Sequence, residues 1–149
     1  MIYFANSEGL IEYNGLTSHI YRMPFNKGAR SVCIDSKGII FTGGFEEIGF
    51  WQKKQGCEMM YTSLTTLVDL EKNDEIWKIY SQNGKMYFQS FTSIYVYDYK
   101  TIKKNKAPFT MLFMFPMEKG FFVQVLGNGL YTFEMISLIS FRAAQSLPT

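Results

Sequence analysis

The sequence predicts an all-β chain built as a partial β-propeller, an arc of about four blades of four-stranded antiparallel sheet, with the first blade incomplete. Three observations predict it. Aromatic residues are abundant, with 14 Phe, 10 Tyr and 2 Trp among 149 residues, and aromatic and β-branched side chains fit a packed, pleated sheet. A hairpin of two apolar strands around a polar or glycine tip recurs four times: "IYFANSEGLIEYN" from Ile2, "IIFTGGFEEIGFWQ" from Ile39, "MYFQSFTSIYVYD" from Met86 and "FFVQVLGNGLYTFE" from Phe121. The third observation is spacing. With Phe4, Phe41, Phe88 and Val123 taken as equivalent, successive copies lie 37, 47 and 35 residues apart. A four-stranded repeat of roughly 40 residues is the signature of a propeller blade.

Each unit can be assembled in order. In the first and third copies the next strand's apolar anchors follow six and nine residues later (Leu10 and Tyr13; Ile94 and Tyr97). In the second and fourth they follow seven and ten later (Ile48 and Trp51; Leu130 and Phe133). The segments "DSKG", "SQNG" and "MEKG" end at Gly38, Gly84 and Gly120, where a tight hairpin needs a positive φ. Before these turns lie "RSVCID", "EIWKIYS" and "TMLFMF", expected as inner strands including 31–35, 76–81 and 111–115. A fourth strand follows each hairpin, most clearly in "EMMYTSL" at 58–64. The units therefore run over 1–28, 29–73, 74–108 and 109–142, with a tail at 143–149. The first holds only its second, third and fourth strands. The far end, "MISLISFRAAQSLPT", is expected as the last strand of unit four plus the tail, which leaves nothing to close a ring.

Composition bounds the function. The length and the 47% hydrophobic content suit one well-buried domain. A formal net charge of +2 gives no reason to expect a nucleic-acid or membrane surface. Cys33 and Cys57 form no C-x-x-C pair, so neither a disulfide framework nor a zinc site is expected; both read as half-buried strand residues. No stretch approaches a membrane span, and Met1 leads directly into "IYFAN" without an export leader. As written, the chain is expected to be cytoplasmic, neither exported nor anchored.

Catalytic groups are few. His19 is the sole histidine, so a Ser-His-Asp triad has one candidate, and "SHIYR" reads as a strand-end surface. Asp69, Glu71, Asp74 and Glu75 read as a solvated connection between blades rather than a metal site. The "GNG" at 127–129 has no following helix and is a turn; "SQNGKMY" is likewise a hairpin turn. "KTIKKNKAP", with Lys100, Lys103, Lys104 and Lys106, reads as a surface loop joining units three and four. No catalytic residue, metal ligand or cofactor is assigned. Phe45, Trp51 and Phe91 flank hairpin tips, and flat rings at a propeller mouth stack on sugars. They are the candidate ligand contacts.

The segments "YFANSEGLIEYNG", "RSVCIDSKGIIFTGGFEEIGFW", "YTSL", "EIWKIYSQNGKMYFQSFTSIYVYD" and "FFVQVLGNGLYTF" resemble the two-component-regulator propeller repeats of Bacteroides-type sensor-regulators. The likeness runs from Ile2 to about Glu134 and is greatest to the subgroup with a triple-tyrosine domain, a membrane span and a LuxR-type helix-turn-helix output. The resemblance implies a non-enzymatic periplasmic propeller that senses a glycan or related signal while other domains change transcription. Beside it, the chain reads as an amino-terminal piece, truncated after Glu134. The rival reading is a structural module acting by protein association. An open arc exposes an apolar face at each end, so a head-to-tail homodimer is expected, with unit one of each copy against unit four of the other.

Overall fold

The computed structural model describes the backbone of residues 1–56, 58–136 and 138–143. Its strands form four antiparallel sheets, each a meander in chain order. Blade one has three strands, β1 (Ile2–Asn6), β2 (Gly9–Tyr13) and β3 (Ser18–Arg22). Blade two has β4 (Ser31–Ile34), β5 (Ile40–Gly44), β6 (Glu47–Lys53) and β7 (Met59–Ser63). Blade three has β8 (Lys78–Gln82), β9 (Lys85–Gln89), β10 (Ser93–Tyr97) and β11 (Ile102–Lys106). Blade four has β12 (Met111–Pro116), β13 (Phe121–Val125), β14 (Gly129–Ile136) and β15 (Leu138–Ala143). The chain is all-β, a partial propeller-like arc whose first blade lacks one strand. None of its described helical turns is long and apolar enough to cross a membrane.

The turns behave as their residues dictate. Gly38, Gly84 and Gly120 have φ of 82°, 74° and 91°, and Asn83 before Gly84 is also left-handed at 50°. Two successive positive φ values give the turn whose twist matches a two-residue hairpin. The "GNG" segment closes the β13–β14 turn, with Gly127 and Gly129 at 75° and 77°. Cys33 is half-buried on β4, whereas Cys57 and residues 144–149 of the expected tail lie outside the described residues.

The strand register corrects the alignment of the repeats. Ile2 pairs with Tyr13, Ile40 with Trp51 and Met86 with Tyr97, each pair eleven residues apart, whereas Phe121 pairs with Phe133, twelve apart. Only the fourth hairpin carries an extra residue, in its turn. Phe4 is therefore equivalent to Thr42, Phe88 and Val123, and Phe41 is equivalent to Tyr3. The slip arises because Ile40 and Phe41 are both buried, so alternation does not mark which face each serves. Of the second-strand anchors, Leu10, Ile48 and Ile94 are fully buried, but Leu130 is half exposed. It faces away from blade three.

Three apolar clusters join successive blades. Leu10, Ile40 and Trp51 meet between blades one and two. Phe41, Ile48, Met86 and Phe88 meet between two and three, and Tyr87, Ile94, Phe121 and Phe133 between three and four. Main-chain bonds repeat at the joints: Ala29 N–H donates to Asn6 O at 2.8 Å, Ile76 N–H to Gly44 O at 2.9 Å and Met111 N–H to Phe91 O at 2.8 Å. At the first joint the backbones approach so closely that a β-carbon on Gly44 would collide with the Gly28 carbonyl.

Candidate functional site

Phe45 occupies the β5–β6 turn and Phe91 the β9–β10 turn, tips of adjacent blades. The connection between blades wires them together. Glu46 N–H donates to Asp74 O at 3.0 Å, and Asn73 N–H donates to Glu46 Oε1 at 2.6 Å. The Asp74 carboxylate accepts from Phe91 N–H at 3.3 Å and Thr92 Oγ1 at 2.5 Å. Ser90 Oγ closes the same turn by accepting from the Thr92 and Ser93 amides at 3.2 and 3.0 Å.

This corrects the reading of the acidic stretch as a solvated connection. Asp74 is buried because the tip of blade three supplies donors for its lone pairs. Glu75 pairs with Arg30 at 2.7 Å. Glu71 pairs with Lys104 and Lys106 at 2.8 and 3.5 Å, and the Lys104 hydrogen bond holds its carboxyl below the usual range. The lysine run is also not a loop: Ile102–Lys106 is β11, the outer strand of blade three. Acidic and basic runs that look independent in sequence meet across one connection.

Aromatic rings gather beside the Phe91 tip. Trp77 and Phe91 stack with centroids 5.4 Å apart and an interplanar angle of 16°, and Phe113 meets Trp77 edge-on at 5.7 Å. Phe115 continues the row 6.3 Å from Phe113. Phe45, Phe91, Phe113 and Phe115 are all 40% exposed or more. The rings form a ledge across blades three and four, with Phe45 on the neighbouring tip. Trp77 Nε1 is covered and meets no acceptor among the described residues.

The three sequence candidates therefore part company. Phe45 and Phe91 are exposed at tips. Trp51 is 3% exposed, donates from Nε1 to Thr42 Oγ1 at 2.9 Å, and packs on Tyr61 at 4.8 Å. It lies in the joint between blades one and two, five residues beyond its tip. Trp77 and Phe113 were missed. Phe113 follows no alternation signal because the β12–β13 register shifts between Met111 and Met114.

Other polar groups are committed to structure. Asp35 accepts from the Lys37 and Ile39 amides and, across a blade joint, from Tyr99 Oη at 2.5 Å. Glu47 accepts from Tyr61 Oη at 2.8 Å and Ser63 Oγ at 2.6 Å. Burial, with Glu47 beside it, pushes the Tyr61 hydroxyl far above its ordinary pKa, so Tyr61 remains a donor. His19 is exposed on β3, its ring 4.4 Å from Tyr21. Among the described residues no group of three or more His, Cys, Asp or Glu is placed to hold a metal ion. A cavity of about 80 Å³ lies between blades two and three, lined by Ile39, Phe41, Phe50, Gln52, Tyr97 and Tyr99, well below the ~300–1,000 Å³ of small-molecule sites.

No protein-family model matches the chain, and no curated protein matches it.

Proposed function

We propose that the chain is a non-enzymatic, ligand-binding propeller segment of a sensor-regulator, and that the Trp77–Phe91–Phe113 ledge with Phe45 is its contact surface for a glycan. The observation that carries this reading is the stack of Trp77 on the exposed Phe91 ring, with the Phe91 tip held by the buried Asp74 carboxylate. Rings fixed in this way lose little conformational freedom when a flat sugar face covers them. The buried carboxylates are occupied by structural hydrogen bonds, which favours binding over chemistry. In a sensor of the resembled kind, the propeller reports occupancy to a separate transcriptional output.

The two tryptophans make a test direct. A Trp51→Phe variant leaves Trp77 as the sole indole, so its emission reports on the ledge during titration with an oligosaccharide panel. A saturable change is expected for at least one glycan, weakened roughly 2–10-fold by Phe91→Ala, since an aromatic pair is worth ~0.5–1.5 kcal/mol beyond its area. A silent panel, or binding indifferent to Phe91→Ala, removes this reading.

A second reading, an assembly module, rests on a different observation. Phe4 and Ile20 on blade one and Phe122 and Leu130 on blade four are each 40% exposed or more. Two copies packed head to tail cover both faces. Light scattering at tens of micromolar should then give a dimer, and Phe4→Glu a monomer. A wild-type monomer ends that reading.

A further inference from the structure

The cavity of about 80 Å³ between blades two and three is bounded by Ile39, Phe41, Phe50, Gln52, Tyr97 and Tyr99. It opens at the strand ends opposite the exposed tips. Ile39 and Gln52 lie at the end of the β5–β6 hairpin away from Phe45, because Ile40 pairs with Trp51 and Gly44 with Glu47. Tyr97 ends β10, which begins just after the Phe91 tip. Four of the six lining side chains are aromatic, and fully buried Phe41 forms the floor. Its ring centroid lies 5.9 Å from Phe50, 6.2 Å from Tyr97 and 6.1 Å from Tyr99, while Tyr97 and Tyr99 are 5.2 Å apart. Among the described residues none of those lining the recess is charged, and Gln52 gives it one amide.

A second observation concerns Tyr99. The β10–β11 turn repeats the β2–β3 turn bond for bond: Asn14 N–H donates to Thr17 O and Asp98 N–H to Thr101 O, both at 3.2 Å. The Asn14 carbonyl and the Asp98 carboxylate accept from the amides two and three residues on. The next residue is left-handed in both turns, Gly15 at φ 96° and Tyr99 at 73°. An aromatic residue holds that conformation only against a steric cost that glycine does not meet. The β6–β7 turn of blade two also uses a glycine, Gly56 at 104°, and its "KQGCE" brings no ring to the first joint. The strained backbone at Tyr99 therefore serves its ring. Tyr99 Oη donates to the buried Asp35 carboxylate at 2.5 Å, which fixes the ring and polarises it toward greater electron density. A cation already answers that ring: Lys37 Nζ stands 4.5 Å from the Tyr99 centroid.

We infer that this recess is an aromatic cage for a methylated ammonium group, the trimethylammonium head of a small molecule or of a modified lysine side chain. Size, polarity and charge select that chemistry. An apolar cavity of ~150 Å³ holds benzene, with its six heavy atoms, so a recess of about 80 Å³ suits the four of a trimethylammonium. Methyl groups ask for no hydrogen bonds, and the lining offers few. A primary ammonium inside would lose the acceptors that its three donors need; Lys37 keeps its own in solvent, where it is exposed. The charge spread over the methyls is drawn to the negative ring faces, and an anion is repelled by them.

The probes are choline, its uncharged analogue with a tert-butyl group in place of the trimethylammonium, and a capped trimethyllysine amide. Each is titrated into the whole chain while the ring-proton resonances of Tyr97 and Tyr99 are followed. Choline should give saturable shifts, and the tert-butyl analogue should bind ~10-fold more weakly or worse, because it has the shape without the charge. Tighter binding of trimethyllysine than of choline identifies a modified protein side chain as the source; equal or weaker binding identifies a free small molecule. Tyr99→Gly, which installs the residue that the same turn carries in blade one, should lose the binding while the far-ultraviolet spectrum stays intact. Phe50→Leu, in a half-buried wall, should weaken it ~3-fold or more. The comparison of choline with its analogue needs no variant. No saturable shift with choline, equal affinity for the uncharged analogue, or binding that neither substitution weakens overturns the inference.

Discussion

The two middle blades and the two end blades are built from similar strands but meet different surroundings. β5 and β10 are buried at every position, whereas β13 alternates strictly between buried and exposed and β1 is exposed at Ile2 and Phe4. Phe88 and Phe4 occupy equivalent positions in the repeat. Phe88 is fully buried because blade two covers it; Phe4 is 48% exposed because none of the described blades covers that face of blade one. Burial in such an array is thus a property of the joint, not of the strand.

The largest expected effect sets these two residues against each other. Phe88→Ala should destabilise by ~3–5 kcal/mol, the range for emptying a packed aromatic site. Phe4→Ala should cost less than ~1 kcal/mol, since half of its transfer free energy is never gained. Urea unfolding of both variants at submicromolar concentration checks the contrast. Equal losses would break it, and a Phe4→Ala loss that appears only at high concentration would mark a face covered by association.

Next in size is the clamp that ties the tips of the middle blades. Asp74→Ala leaves the Phe91 amide and Thr92 hydroxyl without their acceptor, and hydrogen bonds to a charged group are worth ~1.5–3 kcal/mol. The same variant should free the Phe91 ring and change Trp77 emission. Glu71→Ala, only three residues away in the same connection, should leave the unfolding midpoint close to that of the wild type, as the loss of a surface ion pair does. Similar unfolding midpoints for the two would show that the clamp contributes nothing beyond a surface pair.

The contrast between blades also explains what the sequence made legible. Turns were readable because their cause is local: Gly38, Gly84 and Gly120 sit where the backbone needs a positive φ, and no distant residue changes that need. The strands were readable from apolar runs flanked by those turns. The register of blade two was not, because both its faces are buried and the run Ile40–Phe41 carries no alternation. The surroundings of the two tryptophans were hidden for a similar reason. Trp51 lies near a tip in sequence, yet blade one covers it; Trp77 lies in an expected inner strand, yet stacks on Phe91 at the rim. Asp74 and Glu71 share one acidic run, and their different fates are set by Thr92 and Lys104, about 18 and 33 residues further on in the sequence.

The smallest effect concerns acid and separates the first joint from the second. Tyr3 Oη donates to Glu12 Oε2 at 2.7 Å, and Lys53 from blade two approaches the same oxygen at 3.2 Å. Burial raises the Glu12 pKa, but the bonds from Tyr3 and Lys53 outweigh it and hold the carboxyl below its ordinary value. The same arrangement, with burial first and Glu12 second, pushes the Tyr3 hydroxyl up to about 12, so Tyr3 stays a donor throughout the acidic range. A carboxyl with a depressed folded pKa binds its proton more weakly when folded than when unfolded. Its stabilisation is therefore complete above the unfolded value near 4.5 and is lost as pH falls through the lower folded value. Glu12→Gln should keep an acceptor for Tyr3 but lose the charge that Lys53 meets. Its stability should fall less steeply than wild type between pH 5 and the acid limit, with Glu71 and Asp98, also held low, supplying the slope that remains. Amide exchange at pH 3–4 should accelerate at Leu10 and Ile40 in the first joint before Phe88 in the second. Parallel pH curves for wild type and Glu12→Gln, or acid opening of the second joint first, would show that the ion pair does not hold blade one to blade two.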